Sequence, residues 1–136
     1  MNIKKRGQIS TEYLIIVGFI TFVVISVLGL AYVYVAQVKD TIKINQIENF
    51  ANKIISSSES IFYAGEPSTV TITGYIPSGV TNIQVNGKEI IFTVQTRSGT
   101  NVMSFASKVT IEGTISPSSG VKKLQLVARE DKVTIN

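Results

Sequence analysis

The chain has 136 residues, an apolar share of 44%, and a net charge of +4 from thirteen basic and nine acidic side chains. Cys and His are both absent, which excludes disulfide frameworks, thiolate or imidazole metal sites, and Cys/His nucleophile–base pairs. The length fits one domain plus an appendage, and much of the apolar content sits in the first forty residues, so the remainder must fold around a small core.

Three cations, Lys4, Lys5 and Arg6, and then Gly7 precede a polar step with one acid, Glu12. From Tyr13 to Val38 no residue is charged. A helix over 13–38 measures roughly 39 Å, enough to cross a hydrocarbon core of about 30 Å. The basic head predicts a cytoplasmic N-terminus and an exported C-terminal part. The apolar run reads as a membrane anchor; as a discarded signal peptide it is too long, and Ala36-Gln37-Val38 is a poor distal cleavage site. The small residue that suits a cut is Gly7, ahead of the run, and a cut there leaves ten bases against nine acids. The basic balance therefore reports topology and gives no support to nucleic-acid binding.

Ser10 and Thr11 are candidate N-caps for a helix running from about Thr11 to about Tyr63, roughly 80 Å long. No Pro occurs before Pro67, and Ile44, Ile47, Phe50, Ala51, Ile54, Ile55, Ile61 and Phe62 keep a three-and-four spacing. Lys43, Asn45, Glu48, Asn52, Lys53 and Glu59 take the other side. The Ser56-Ser57-Ser58 run is a candidate fray or kink, and Gly65-Glu66-Pro67 ends the helix. Gly18 and Gly29, eleven residues apart, lie on nearly one face.

After Ser68 the period changes to two. Val70/Ile72, Ile83/Val85, Ile90/Phe92/Val94, Met103/Phe105/Val109/Ile111, Leu124/Leu126/Ala128 and Val133/Ile135 alternate with mostly polar neighbours. Asn86-Gly87 reads as a hairpin turn with positive φ at both central residues. The expected fold class is α+β: a long N-terminal helix, apolar first and then amphipathic, packed on a small antiparallel sheet of about six strands. Ile47, Phe50, Ile54, Ile61 and Phe62 are the expected helical cover. No enzymatic constellation, cofactor site or metal site is legible: without His a Ser nucleophile would need Lys, and no Ser-x-x-Lys motif with pocket context appears.

Lys5-Arg6-Gly7 followed by Gln8-Ile9-Ser10-Thr11-Glu12-Tyr13 resembles the class III signal peptide of archaeal type IV pilins, whose pattern is a Gln-x-Ser-x-Glu start. Gln8, Ser10 and Glu12 match in register; Ile16 stands where the family often has Leu. The resemblance covers about Lys4 to the fifties. It implies a leader 1–7 carrying Lys4, Lys5 and Arg6, removed by a prepilin peptidase between Gly7 and Gln8. It also implies a pilin helix over 8–63, with 13–38 as transmembrane segment and filament core, and a head over 64–136. Gln8, Ser10 and Glu12 become assembly residues, with Glu12 paired to a neighbour's freed amine at Gln8. The implied partners are further copies in a helical homopolymer, the membrane before assembly, and the pilus platform and ATPase machinery. The implied place is a surface filament serving adhesion. A single-pass anchored binding domain, a minor pilin and an archaellin-like subunit are the alternatives.

Overall fold

The structure, a computed structural model, describes residues 4–136, with side chains described from Ser10 onward. It is α+β: helix α1 (Lys4–Ala64) and six strands, β1 (Thr69–Ile76), β2 (Val80–Val85), β3 (Gly87–Thr96), β4 (Gly99–Gly113), β5 (Gly120–Ala128) and β6 (Val133–Ile135). The chain divides into two compact units, Met1–Lys39 and Asp40–Asn136.

Helix α1 begins upstream of Ser10 and Thr11, so these two are interior helical residues and not N-caps. A single Gly at position 7 costs about 1 kcal/mol of helix propensity, which is too little to stop a helix whose backbone bonds continue on either side. The serine run does not break the helix either. Ser58 is fully buried, and Ile54 and Ile61 on the same stripe are held in the core. That burial outweighs the modest propensity penalty of serine. The last turn closes with Gly65 N–H donating to the Phe62 carbonyl at 3.2 Å.

The sheet order is β1-β5-β6-β4-β3-β2. The hairpins β2–β3, β3–β4 and β5–β6 and the β1–β5 pair are antiparallel, but β4 and β6 pair in parallel over Ile111–Gly113 and Val133–Ile135. The sheet is therefore mixed, not wholly antiparallel as expected. The link over 114–119 carries the chain past the place that β6 later fills. β6 runs opposite to its hairpin partner β5 and hence along β4. Lys132 Nζ donates to Glu112 Oε2 across this junction at 2.8 Å, and that hydrogen bond to a carboxylate holds the Lys132 ammonium above its ordinary pKa.

The β2–β3 turn also differs from expectation. Asn86 N–H donates to the Glu89 carbonyl at 2.8 Å, which makes Gly87-Lys88 the central pair. Gly87 has φ 64°, and no residue other than glycine has positive φ among those described. Positive φ at the first central position alone is the II′ arrangement, which glycine enters without a Cβ clash.

One face of the sheet packs on the C-terminal part of α1. Ile47, Phe50, Ala51, Ile54 and Ile61 from the helix join Ile72, Ile83, Ile90, Phe92, Val94, Val109, Ile111, Leu124, Leu126, Ala128, Val133 and Ile135 in one buried cluster. This is the expected stripe and the expected alternation. Val70, Val85, Met103, Phe105 and Phe62 are only partly buried at its margin. Ile76, Ile115 and the hydroxyl-bearing Ser107 complete the core face. Phe92 meets Phe50 and Phe105 edge-on, with ring centroids 6.4 and 5.9 Å apart, an arrangement that favours contact between ring edge and ring face.

Two residues assigned to the solvent side of α1 also bond the sheet. Lys53 Nζ donates to the Thr73 carbonyl at 2.7 Å, and Glu59 Oε1 accepts from Lys108 N–H at 3.1 Å. Asp40 Oδ2 accepts from Arg97 N–H at 3.1 Å. Long side chains on the flank of a helical stripe can turn back toward the sheet, and each bond satisfies a backbone group that the strand ladder leaves over.

Candidate assembly helix

The N-terminal part of α1 presents apolar surface on every side. All described side chains from Ser10 to Val35 are exposed, including Leu14 at 72%, Phe22 at 68% and Leu30 at 73%. A helix that is hydrophobic all round belongs in a dry environment, either a bilayer or a bundle of other helices. By length and composition it can cross a membrane: its most apolar window has a mean hydropathy of 2.8 and is unburied within the chain.

The two aliphatic hydroxyls inside this run bond back to the helix itself. Thr21 Oγ1 donates to the Val17 carbonyl and Ser26 Oγ to the Phe22 carbonyl, each at 2.8 Å and four residues back. Both hydroxyls thereby spend their donors on the helix's own backbone. The helix can enter hydrocarbon or a protein bundle without stranding them. At Gly18 and Gly29 an added Cβ would meet nothing within 4 Å, so each leaves backbone open to close approach by another helix.

At the head of the run, Ser10 and Glu12 are both exposed. Two residues apart on a helix, they point to nearly opposite sides, so the structure does not gather them into one site. Glu12 has no hydrogen-bond or ion-pair partner among the described residues, and it is the one acid in the chain before Asp40. Positions 8 and 12 lie one turn apart. The side chains of Lys4, Lys5, Arg6 and Gln8 lie outside the described residues, as does the surrounding of Gly7. Tyr32 and Tyr34 are exposed near the C-terminal end of the run.

The head holds an open groove of about 230 Å³, lined chiefly by Gln46, Asn49, Phe50, Lys53, Gly74 and Tyr75. Its lining combines the buried Phe50 ring with the Gln46 and Asn49 amides, the Lys53 ammonium and the Tyr75 side chain. Nothing in the residue pattern announced it, because it arises where the helix flank passes strand β1. No group of three or more His, Cys, Asp or Glu side chains is close enough to hold a metal among the described residues. Ser104 and Lys108 are both exposed on the strand face away from the helix, and Ser104 donates to the Glu89 carboxylate.

No protein-family model, no curated protein and no solved structure matches the chain.

Proposed function

We propose that this chain is the structural subunit of an archaeal type IV pilus-like surface filament, stored in the membrane, cut between Gly7 and Gln8, and polymerised through α1. The observation that carries the reading is the exposed apolar surface of α1 over residues 13–35, taken with a head whose core is already closed by residues 47–61 of the same helix. The head therefore has no use for the apolar run, which must be covered by something outside the chain. Full burial of each large apolar side chain contributes about 1.5–3 kcal/mol. Neighbouring helices supply that burial in a polymer just as the bilayer does before assembly. The Gln8–Glu12 register supports processing ahead of the run, with Glu12 docking against the amine freed at Gln8 of a neighbour.

The second reading is a single-pass anchored exported domain, supported by the same membrane-length helix. Mechanical shearing of cells producing the chain separates the two. The filament reading expects the chain in fibres visible by electron microscopy and identified by mass. An anchored domain stays wholly in the membrane fraction.

A further inference from the structure

Neither edge strand of the sheet contains a charged residue. In the order β1-β5-β6-β4-β3-β2 the edge strands are β1 and β2, with sequences Thr-Val-Thr-Ile-Thr-Gly-Tyr-Ile and Val-Thr-Asn-Ile-Gln-Val. Neither contains Lys, Arg, Asp, Glu or Pro. The charges lie instead on interior strands: Lys88 and Glu89 on β3, Lys108 and Glu112 on β4, Lys122 and Lys123 on β5. Monomeric sheet proteins do the reverse, placing charge or proline on the edge to stop strands of other chains from adding there.

The β1 edge turns a row of backbone groups outward, with Lys53 bonded to one of them. Ala128 N–H donates to the Ser68 carbonyl at 2.8 Å, so alternation along the strand turns the backbone groups of Thr69, Thr71, Thr73 and Tyr75 away from β5. One of these outward acceptors, the Thr73 carbonyl, is occupied by Lys53 Nζ. An incoming strand N–H replaces that ammonium, which can swing into solvent because Lys53 is exposed. The pairing signs around the sheet make β1 and β2 parallel to each other. Copies set side by side in one orientation therefore present β1 of one chain to β2 of the next, in parallel register.

We infer that the heads of two copies of this chain pair edge to edge, β1 of one on β2 of the next, continuing one sheet from subunit to subunit. The contact is head-to-tail and does not close on itself, so it propagates along an array. It rests on the filament reading only for what brings the copies together, and it supplies a second contact separate from the apolar helix.

The chain has no cysteine, so introduced thiols report cleanly. Thr71 on β1 and Gln84 on β2 are exposed, each between inward-facing neighbours. Intact cells making T71C/Q84C are treated with a short bismaleimide, then sheared and fractionated, and both fractions are blotted. The expected result is a ladder of dimers, trimers and larger species in the double variant. Either single variant, and T71C paired with T110C on the interior strand β4, should stay monomeric. Dimers from T71C alone overturn the head-to-tail pairing in favour of β1 on β1. A ladder in T71C/T110C equal to that of the double variant overturns it as mere crowding. A ladder that needs Lys53→Ala overturns it for the native chain, making Lys53 a guard of the edge. Absence of crosslinks from both fractions overturns it whatever the filament yield, while the filament reading is judged separately by the chain's presence in the sheared material.

Discussion

Phe50 lies directly over Gly74: a Cβ at Gly74 would stand 2.1 Å from Phe50 Cδ2 and 2.4 Å from Cε2. Glycine at this point of β1 lets the helix approach the edge strand closely enough for Phe50 to be buried to 3% exposure and to meet Phe92. Gly74→Ala forces the ring or the strand to move and should lower head stability by about 1–3 kcal/mol. Phe50→Leu removes ring atoms from the clash, so the double variant should lose less than the sum of the two single losses. Thermal melts of the full chain in detergent measure this coupling; strict additivity would show that the two residues do not share the contact.

Among the described residues of α1, Ser58 is the one fully buried polar side chain, and its Oγ has no hydrogen-bond partner. A buried hydroxyl without a partner opposes folding, and alanine is the better helix former by about 0.5 kcal/mol. Ser58→Ala should therefore raise stability, by about 1 kcal/mol. A lower melting temperature in this variant would mean that the hydroxyl is bonded after all.

Strand register can be tested residue by residue. Val94 is completely buried, so Val94→Asp places an unpaired charge in the core and should unfold the head, a loss on the order of 4 kcal/mol or more. Phe105, only partly buried at the margin, should respond less to the same change. Thr93→Asp should be tolerated better than Val94→Asp, since Thr93 faces away from α1. Ser104→Asp is outward too, but it opposes the Glu89 carboxylate to which Ser104 donates, so like charges should cost a few tenths of a kcal/mol to about 1 kcal/mol. Limited proteolysis ranks the four variants; equal resistance of Val94→Asp and Thr93→Asp would place the wrong face in the core.

The one-sided burial of the head made its strands legible. Ile90, Phe92 and Val94 alternate cleanly because one face of β3 packs on the core and the other does not. Ile115 was not legible, since it lies in the link after β4, outside any alternating run. The parallel β4–β6 pair was hidden because a three-residue strand, Val-Thr-Ile, carries no register signal of its own. Lys53 and Glu59 sit on the polar flank of the helix, where periodicity says only that they avoid the core, not that they reach back to bond Thr73 and Lys108. For the candidate site, the apolar run was plain from composition. Ser10 and Thr11 were misplaced as caps because cap residues are also tolerated inside a helix when nothing upstream stops it.

Glu12→Ala separates docking from anchoring. Removing an acid from the edge of an apolar helix does not hinder membrane insertion, so an anchored domain should keep its level, topology and fold. If Glu12 pairs with a neighbour's amine in a desolvated bundle, breaking the pair costs roughly 3–5 kcal/mol at full burial. Folded subunits should then accumulate in the membrane while the sheared fraction is depleted. Equal filament yield from variant and wild type would remove the docking role from Glu12 and leave the polymer standing.

The central claim is that the chain polymerises through α1 after losing its basic head, and the N-terminus of the subunit in sheared surface material tests it most directly. Mass analysis of the N-terminal peptide should find it beginning at Gln8, with the free amine or its cyclised form, and Lys4, Lys5 and Arg6 gone. A subunit that retains Lys4, Lys5 and Arg6 ahead of Gln8 and is confined to the membrane fraction would contradict the account and leave an anchored domain in its place.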